Sequence, residues 1–278
     1  MIPETQSQAK KDTLRFCGAQ LIEVPAVPFK NPRNYVHIAS RLSRALQSHP
    51  AVPCPVFYAN QWDNRANRAA HVATTGPEII AQIAHVGGTV DGFSCAMGTG
   101  GTLVGTAEAL RTHNPAVKVA LTDPFGAVPF TYFTSGKAVA GAGSSVTEGI
   151  GQGRITGNMD GFKPDYAWEV EDTDAIAELN ALCVNEGLQL GLSSGINVAG
   201  AAKLARELGP GHTVVTILCD GAMRYANKMY NPSFLRSKGL PVPKWLDDAM
   251  PNGPQTAQSL LPFDLRQVID AAIEGTEM

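Results

Sequence analysis

The sequence predicts an α/β protein with mostly parallel sheets flanked by helices, and three observations carry that expectation. Apolar runs of strand length alternate with helical patterns of about 10 to 15 residues along most of the chain. A glycine-rich turn, "MGTGGT" (97–102), joins one apolar run directly to the next amphipathic segment. The composition, 44% hydrophobic and 17% charged over 278 residues, is that of a globular chain able to bury a sizeable core.

The elements follow in order. Residues 3–18 read as a helix stopped by Gly18, and "AQLIEVP" (19–25) as a strand. In 34–47, Tyr35, Ile38, Leu42 and Leu46 fall near helical spacing. "CPVFYAN" (54–60) is a strand candidate. "TTGPEIIAQIAHVGG" (74–88) sets Thr75 and Glu78 in capping-box spacing, with an early Pro77 and a Gly-Gly stop. A strand over 90–97, the glycine turn, a helix over 103–114 and a strand over 117–124 come next. Two more pairs close the pattern: strand 166–171 with helix 174–187, and helix 196–211 with strand 213–220. Between 124 and 164 the text becomes glycine-rich, and a loop this long in a compact domain is usually functional or disordered. Near the end, Leu265, Val268, Ile269, Ala272 and Ile273 form one apolar stripe, expected as a terminal helix docked on its own domain.

Charge and cysteine usage narrow the function classes. A net charge of −3 offers no basic surface for nucleic acid. No apolar run reaches bilayer length, and the amino end lacks the apolar core of a cleaved signal. Five scattered cysteines without a C-x-x-C pair, and histidines without an H-E-x-x-H, suit a reducing cytoplasm and no metal site.

The glycine turn is the place to look for chemistry. A strand, glycines and a helix start together present unpaired backbone N–H groups that an anion can approach closely. Thr99 and Thr102 add hydroxyls. No Lys-Ser/Thr follows the last glycine, so a Walker-type nucleotide loop is not met. Gly98, Gly100, Gly101 and Gly105, with Asp123 ending the next strand, approach a dinucleotide fingerprint without matching G-x-G-x-x-G, because residue 103 is leucine. An NAD(P)-binding oxidoreductase is the rival from this motif alone. "GLSSG" (191–195) matches the nucleophile elbow G-x-S-x-G, but only Glu207 lies between Ser193 and the last histidine, His212, too local for a hydrolase triad.

Six motifs in order change the weight of these readings: "NQWDNRANRAAH" (60–71), "TTGPEI", "GTGGT", "SSVTEGIGQGRI" (144–155), "SSGINVAGA" (193–201) and the "MRY" turn (223–225). Over about residues 2–246 the chain resembles the cysteine synthases, pyridoxal phosphate enzymes of the tryptophan-synthase-β-like fold (fold type II). The resemblance implies that Gly98, Thr99, Gly100, Gly101 and Thr102 cradle the phosphate of pyridoxal 5′-phosphate. Gln61 corresponds to a residue that helps hold the amino acid substrate, and Gly149, Ile150 and Gly151 to the backbone facing the substrate side of the cofactor. The group toward the pyridine nitrogen falls at Cys219 or Asp220, where many relatives carry serine. The implied reaction is β-replacement, O-acetylserine and sulfide giving cysteine and acetate, with a homodimer as the common assembly.

Two family motifs do not occur in these 278 residues: the N-P-G-G-S-x-K-D-R-like stretch with the Schiff-base lysine, and the S-G-N-T-G substrate loop. The other lysines read as solvated surface groups, Lys10 and Lys11 among them. The resemblance thus begins in the family's middle. It implies a remnant of the smaller domain over 1–58, the larger phosphate-binding domain over 59–246 and a tail over 247–278. No catalytic residue is assigned, and a truncated, inactive chain that binds the phosphate is the alternative expectation.

Overall fold

The computed structural model describes residues 1–6 and 8–249. The predicted tail helix and Ser7 lie outside them. The elements are β1 (Ile2–Pro3), α1 (Gln8–Phe16), β2 (Glu23–Val24), α2 (Tyr35–Gln47), α3 (Ala66–Ala73), α4 (Thr75–His85), β3 (Gly92–Cys95) and α5 (Gly101–His113). They continue as β4 (Lys118–Pro124), α6 (Val128–Ser135), β5 (Tyr166–Val170), α7 (Asp172–Glu186), α8 (Leu192–Leu208), β6 (Val214–Thr216), α9 (Pro232–Ser237) and α10 (Lys244–Ala249). Among the described residues two compact units result, one of residues 1–170 and 200–216, the other of 171–199 and 217–249.

The first unit holds both sheets. The main one is wholly parallel in the order β5-β4-β3-β6, with Gly92 opposite Lys118 on one side and Val214 on the other. The chain runs outward from β3 through β4 to β5 and then returns to the opposite side of β3. The crevice at the carboxyl ends of β3 and β6 is therefore a topological switch point, where open α/β sheets receive ligands. The strands β3 and β4 are buried on both faces: Phe93, Val119, Ala120 and Leu121 have no exposed surface. That explains their unbroken apolar text.

The second sheet is a two-residue parallel pairing of β1 with β2, so the strand expected over 19–25 shrinks to Glu23–Val24. The candidate strand 54–60 does not form. Its β-prone residues meet no ladder partner, and Phe57 stays 82% exposed. Helix α2 forms as its spacing predicts, capped by Asn34 Oδ1 accepting from Val36 N–H at 3.0 Å. No residue of it is fully buried, because the small sheet offers little to cover its stripe.

Three local readings are corrected. Thr74, not Thr75, caps α4, without a side-chain bond; Thr75 is already helical and turns its hydroxyl to His71. The stretch read as loop contains α6, entered through Pro129 and closed by Gly136 at φ 73°. Lys11 is no solvated surface lysine: it is 8% exposed, with Nζ donating to Glu4 O at 2.7 Å and Glu23 at 2.6 Å. That bond holds the Glu23 carboxyl below its ordinary range. Lys10 pairs with Glu148 at 2.9 Å.

In the second unit, α7 ends at Gly187 in the left-handed region, as the sequence marks it. The carbonyl of Ala175 sits where a β-carbon on Gly195 would go, so that glycine permits close packing of the first turns of α7 and α8.

Candidate phosphate site

The loop after β3 is shaped by its glycines. Gly100 caps α5 at φ 87°, a conformation costly for any residue with a β-carbon. A β-carbon on Gly98 would stand 2.7 Å from the carbonyl oxygen of Gly149, and one on Gly101 would stand 2.7 Å from Asn67 Cγ. These glycines thus let the Gly149 backbone and Asn67 approach the loop closely, beside the first-turn amides of α5 that lack helical partners.

Hydroxyl bookkeeping gives the loop its polarity. Thr99 Oγ1 accepts from Asn67 Nδ2 at 2.8 Å and from Gly101 N–H at 3.3 Å. With both lone pairs engaged, its single proton is left to donate outward. Thr156 Oγ1 donates to the Thr99 carbonyl at 2.6 Å and fixes the turn. Thr102 Oγ1 lies 3.2 Å from His71 Nε2, and His71 Nδ1 lies 2.9 Å from Thr75 Oγ1. Burial holds the His71 imidazole below its ordinary pKa. Glycines, a helix start and the Thr99 hydroxyl proton, left free to donate, fit a phosphate dianion.

The residues expected on the substrate side gather around the same loop. Asn67 Nδ2 also donates to the Gln61 carbonyl at 2.8 Å, and the fully buried Asn158 donates to Gln61 O at 3.2 Å and Trp62 O at 2.9 Å. The Gln61 side chain itself is exposed. Gly149 and Gly151 have φ values of 81° and 73°, and Gly149 abuts Gly98 as described. This segment is tied to the Gln61 turn by Arg154, which donates to both oxygens of Asp63 at 3.1 and 3.0 Å while stacking 4.2 Å over Phe29. Burial of Asp63 opposes its ionisation, but the Arg154 and Gly157 N–H bonds outweigh it and lower its pKa. A cavity of about 520 Å³ opens between Phe29, Tyr35, Trp62, Val139 and Arg154; none of residues 98–102 lines it.

Asn67, His71, Thr156 and Asn158 escaped the reading of the sequence as site residues. The only trace was in the text "NRANRAAH", where Asn67 and His71 stand four apart on one helix face. Asn67→Ala removes the bridge between Gln61 and Thr99. It is expected to cost roughly 1–2 kcal/mol, read as a lowered urea midpoint at unchanged slope; an unchanged midpoint would show that the bridge does not matter.

Cys219 and Asp220 lie in the second unit. Cys219 N–H donates to Ser194 Oγ at 2.9 Å, and Asn197 Nδ2 lies 3.5 Å from Cys219 Sγ. Asp220 Oδ2 accepts from Tyr225 OH at 2.8 Å, while its Oδ1 is buried without a hydrogen-bond partner among the described residues. No histidine is hydrogen-bonded to Ser193 among the described residues, so the elbow motif has no triad behind it. Asp123, the acid of the dinucleotide reading, is fully buried, with Oδ2 accepting from Phe130 N–H at 3.2 Å. That closes it to a ribose.

Fold and loop together define a protein of the parallel α/β class with a loop suited to an anion. Over residues 1–220 the chain matches the family described as pyridoxal-phosphate dependent enzymes, and it belongs to that family. It is 47% identical over 243 residues to Cysteine synthase 1 of Neurospora crassa, covering 86% of this chain and 62% of the relative. Over 252 residues it is 47% identical to Cysteine synthase 1 of Emericella nidulans, covering 88% and 65%. The chain thus spans a little under two thirds of the length of these relatives. Among solved structures, O-ureido-L-serine synthase matches with a TM-score of 0.69 at 26% identity, covering 83% of this chain and 68% of that one. An O-acetylserine dependent cystathionine beta-synthase from Helicobacter pylori matches at 0.67 and 27%, covering 82% and 68%. The fold is therefore the tryptophan-synthase-β-like arrangement, and pyridoxal phosphate is the cofactor of the family.

Proposed function

We propose that this chain serves a cysteine synthase-type β-replacement, in which O-acetylserine and sulfide give cysteine and acetate. The observation that carries the reading is the loop 98–102, with the Thr99 hydroxyl proton left free to donate by Asn67 and Gly101. The likeness to the fungal cysteine synthases supports the choice of reaction.

Gly98, Thr99, Gly100, Gly101 and Thr102 hold the phosphate through backbone amides and hydroxyls. When bound, pyridoxal phosphate supplies the electron sink for loss of the substrate's α-proton and β-substituent. Gln61 orients the amino acid, and the backbone of Gly149, Ile150 and Gly151 borders it. Asp220 or Cys219 faces the pyridine side. An ionised Asp220 would favour a protonated pyridine nitrogen, and the Cys219 thiol a neutral one. Residues 1–58 serve as part of a smaller domain, 59–246 as the phosphate-binding domain and 247–278 as a tail. The assembly is a homodimer in the cytoplasm, taking small amino acids and neither nucleic acid nor membrane.

The test is cysteine formation by the protein purified from its native source, given pyridoxal phosphate, O-acetylserine and sulfide. Cysteine is the expected product. Cofactor retained with no cysteine formed would replace this reading by that of a cofactor-binding protein, and a nicotinamide absorbance in the purified protein would replace both.

A further inference from the structure

We propose that His71 is a positioning residue that aims the Thr102 hydroxyl at the cofactor phosphate, and that phosphate binding draws a proton onto its imidazole. The inference rests on the reading of residues 98–102 as the phosphate cradle.

Thr102 has one hydroxyl proton and His71 Nε2 lies 3.2 Å from its oxygen. With Nε2 bare, the nitrogen takes that proton, and Thr102 shows an anion only lone pairs. With Nε2 protonated, the ring donates to Oγ1 and frees the hydroxyl proton for a phosphate oxygen. The other side of the ring accommodates the change: Thr75 Oγ1, 2.9 Å from Nδ1, can donate to a bare nitrogen or accept from a protonated one. A phosphate therefore selects the forms with Nε2–H, and its charge favours the imidazolium among them.

The surrounding charges leave this role to an anion. On α3 itself, Arg68 is paired with Glu108 of α5 at 2.7 Å. Helix α5 also brings Arg111, paired with Asp165 at 2.7 Å, and His113. Helix α4 brings Glu78 and His85 at its two ends. Beyond the helices, Asp160 is engaged by Arg65 and its carbonyl by Arg68. Among the described residues, none of these is hydrogen-bonded or ion-paired to the imidazole. Burial alone depresses its protonation when no anion is present. Gly105 makes the placement possible, since a β-carbon there would stand 2.7 Å from His71 Cβ.

The probe is pyridoxine 5′-phosphate, which lacks the aldehyde and so cannot condense with surface lysines. Its affinity for the full chain is followed by ³¹P NMR from pH 6.5 to 8.5, above the second ionisation of the phosphate near about 6. Because binding raises the imidazole pKa, the extra affinity is present below the free-state pKa and lost as pH rises through the bound-state pKa. A rise of one unit would make binding tighter at pH 6.5 by at most about fivefold, because that pH already lies above the lowered free-state pKa. His71→Gln, which keeps an N–H near the Nε2 position without titrating, is expected to bind with little pH dependence; His71→Leu should bind more weakly throughout. ¹⁵N-detected titration of His71 in the wild-type chain, free and saturated, reads the same shift without any variant.

An imidazole pKa unmoved at saturation, or a pH slope in His71→Gln equal to that of the wild type, would overturn the inference while leaving the cradle intact. No binding of pyridoxine phosphate by the wild-type chain at any pH would overturn the cradle itself, and this inference with it.

Discussion

Gly105→Ala is expected to destabilise the first unit by about 3 kcal/mol, at the upper end of what overpacking usually costs. Gly105 is buried in α5, where that helix packs against α3. A β-carbon there would stand 2.7 Å from His71 Cβ and closer still to the carbonyl oxygen of Arg68. Both obstacles are fixed to the α3 backbone, so no rotamer change relieves them and the helices must separate. Because α3 carries Asn67 and His71, phosphate affinity should fall in the same variant. Urea unfolding measures the first effect. A loss below about 1 kcal/mol would mean that the α3–α5 contact yields more easily than its geometry implies.

Asp123→Asn should change the pH dependence of stability by a comparable amount. Burial pushes the Asp123 carboxyl up to about 8, with the Met97 and Phe130 amides pulling the other way and Glu169 adding to the rise. Between its unfolded pKa near about 4 and this value, the folded chain holds a proton that the unfolded chain has released. The group therefore lowers stability as pH rises through that window, by at most about 1.4 kcal/mol per unit and a few kcal/mol in all. Asparagine keeps an acceptor for the amides and removes the titration. The variant's stability relative to wild type should climb from pH 4 to 8 and then level off. Parallel stability curves would show that Asp123 is ionised in the folded protein across the range.

The parts of this molecule that could be read from the sequence are those whose signal is periodic or contiguous. Helices α2, α4 and α5 announce themselves through spacing and stop residues, and β4 through an apolar run buried on both faces. The loop 98–102 is legible because its chemistry lies in one uninterrupted string. The failures share a different cause. "CPVFYAN" has the composition of a strand and lacks a neighbour, which composition does not reveal. Helix α6 hides because "VPFTYFTS" is only eight residues long, shows no clear helical stripe and sits in glycine-rich text. Asn67 and Thr99 stand 32 residues apart, and their hydrogen bond leaves no local pattern. The burial of Lys11 leaves no local mark because its partners, the Glu4 carbonyl just after β1 and the Glu23 carboxylate of β2, lie on either side of its helix.

The near-contact of Gly98 with Gly149 ties together two stretches that lie 51 positions apart in the chain. In the proposed reading one belongs to the phosphate cradle and the other to the substrate border, so neither could be redesigned alone. Any side chain introduced at 98 must be matched by a retreat of the 149 backbone. Attempts to broaden the substrate range by mutating one loop at a time would then stall at this pinch point. Changes accepted on both sides at once would travel as linked pairs.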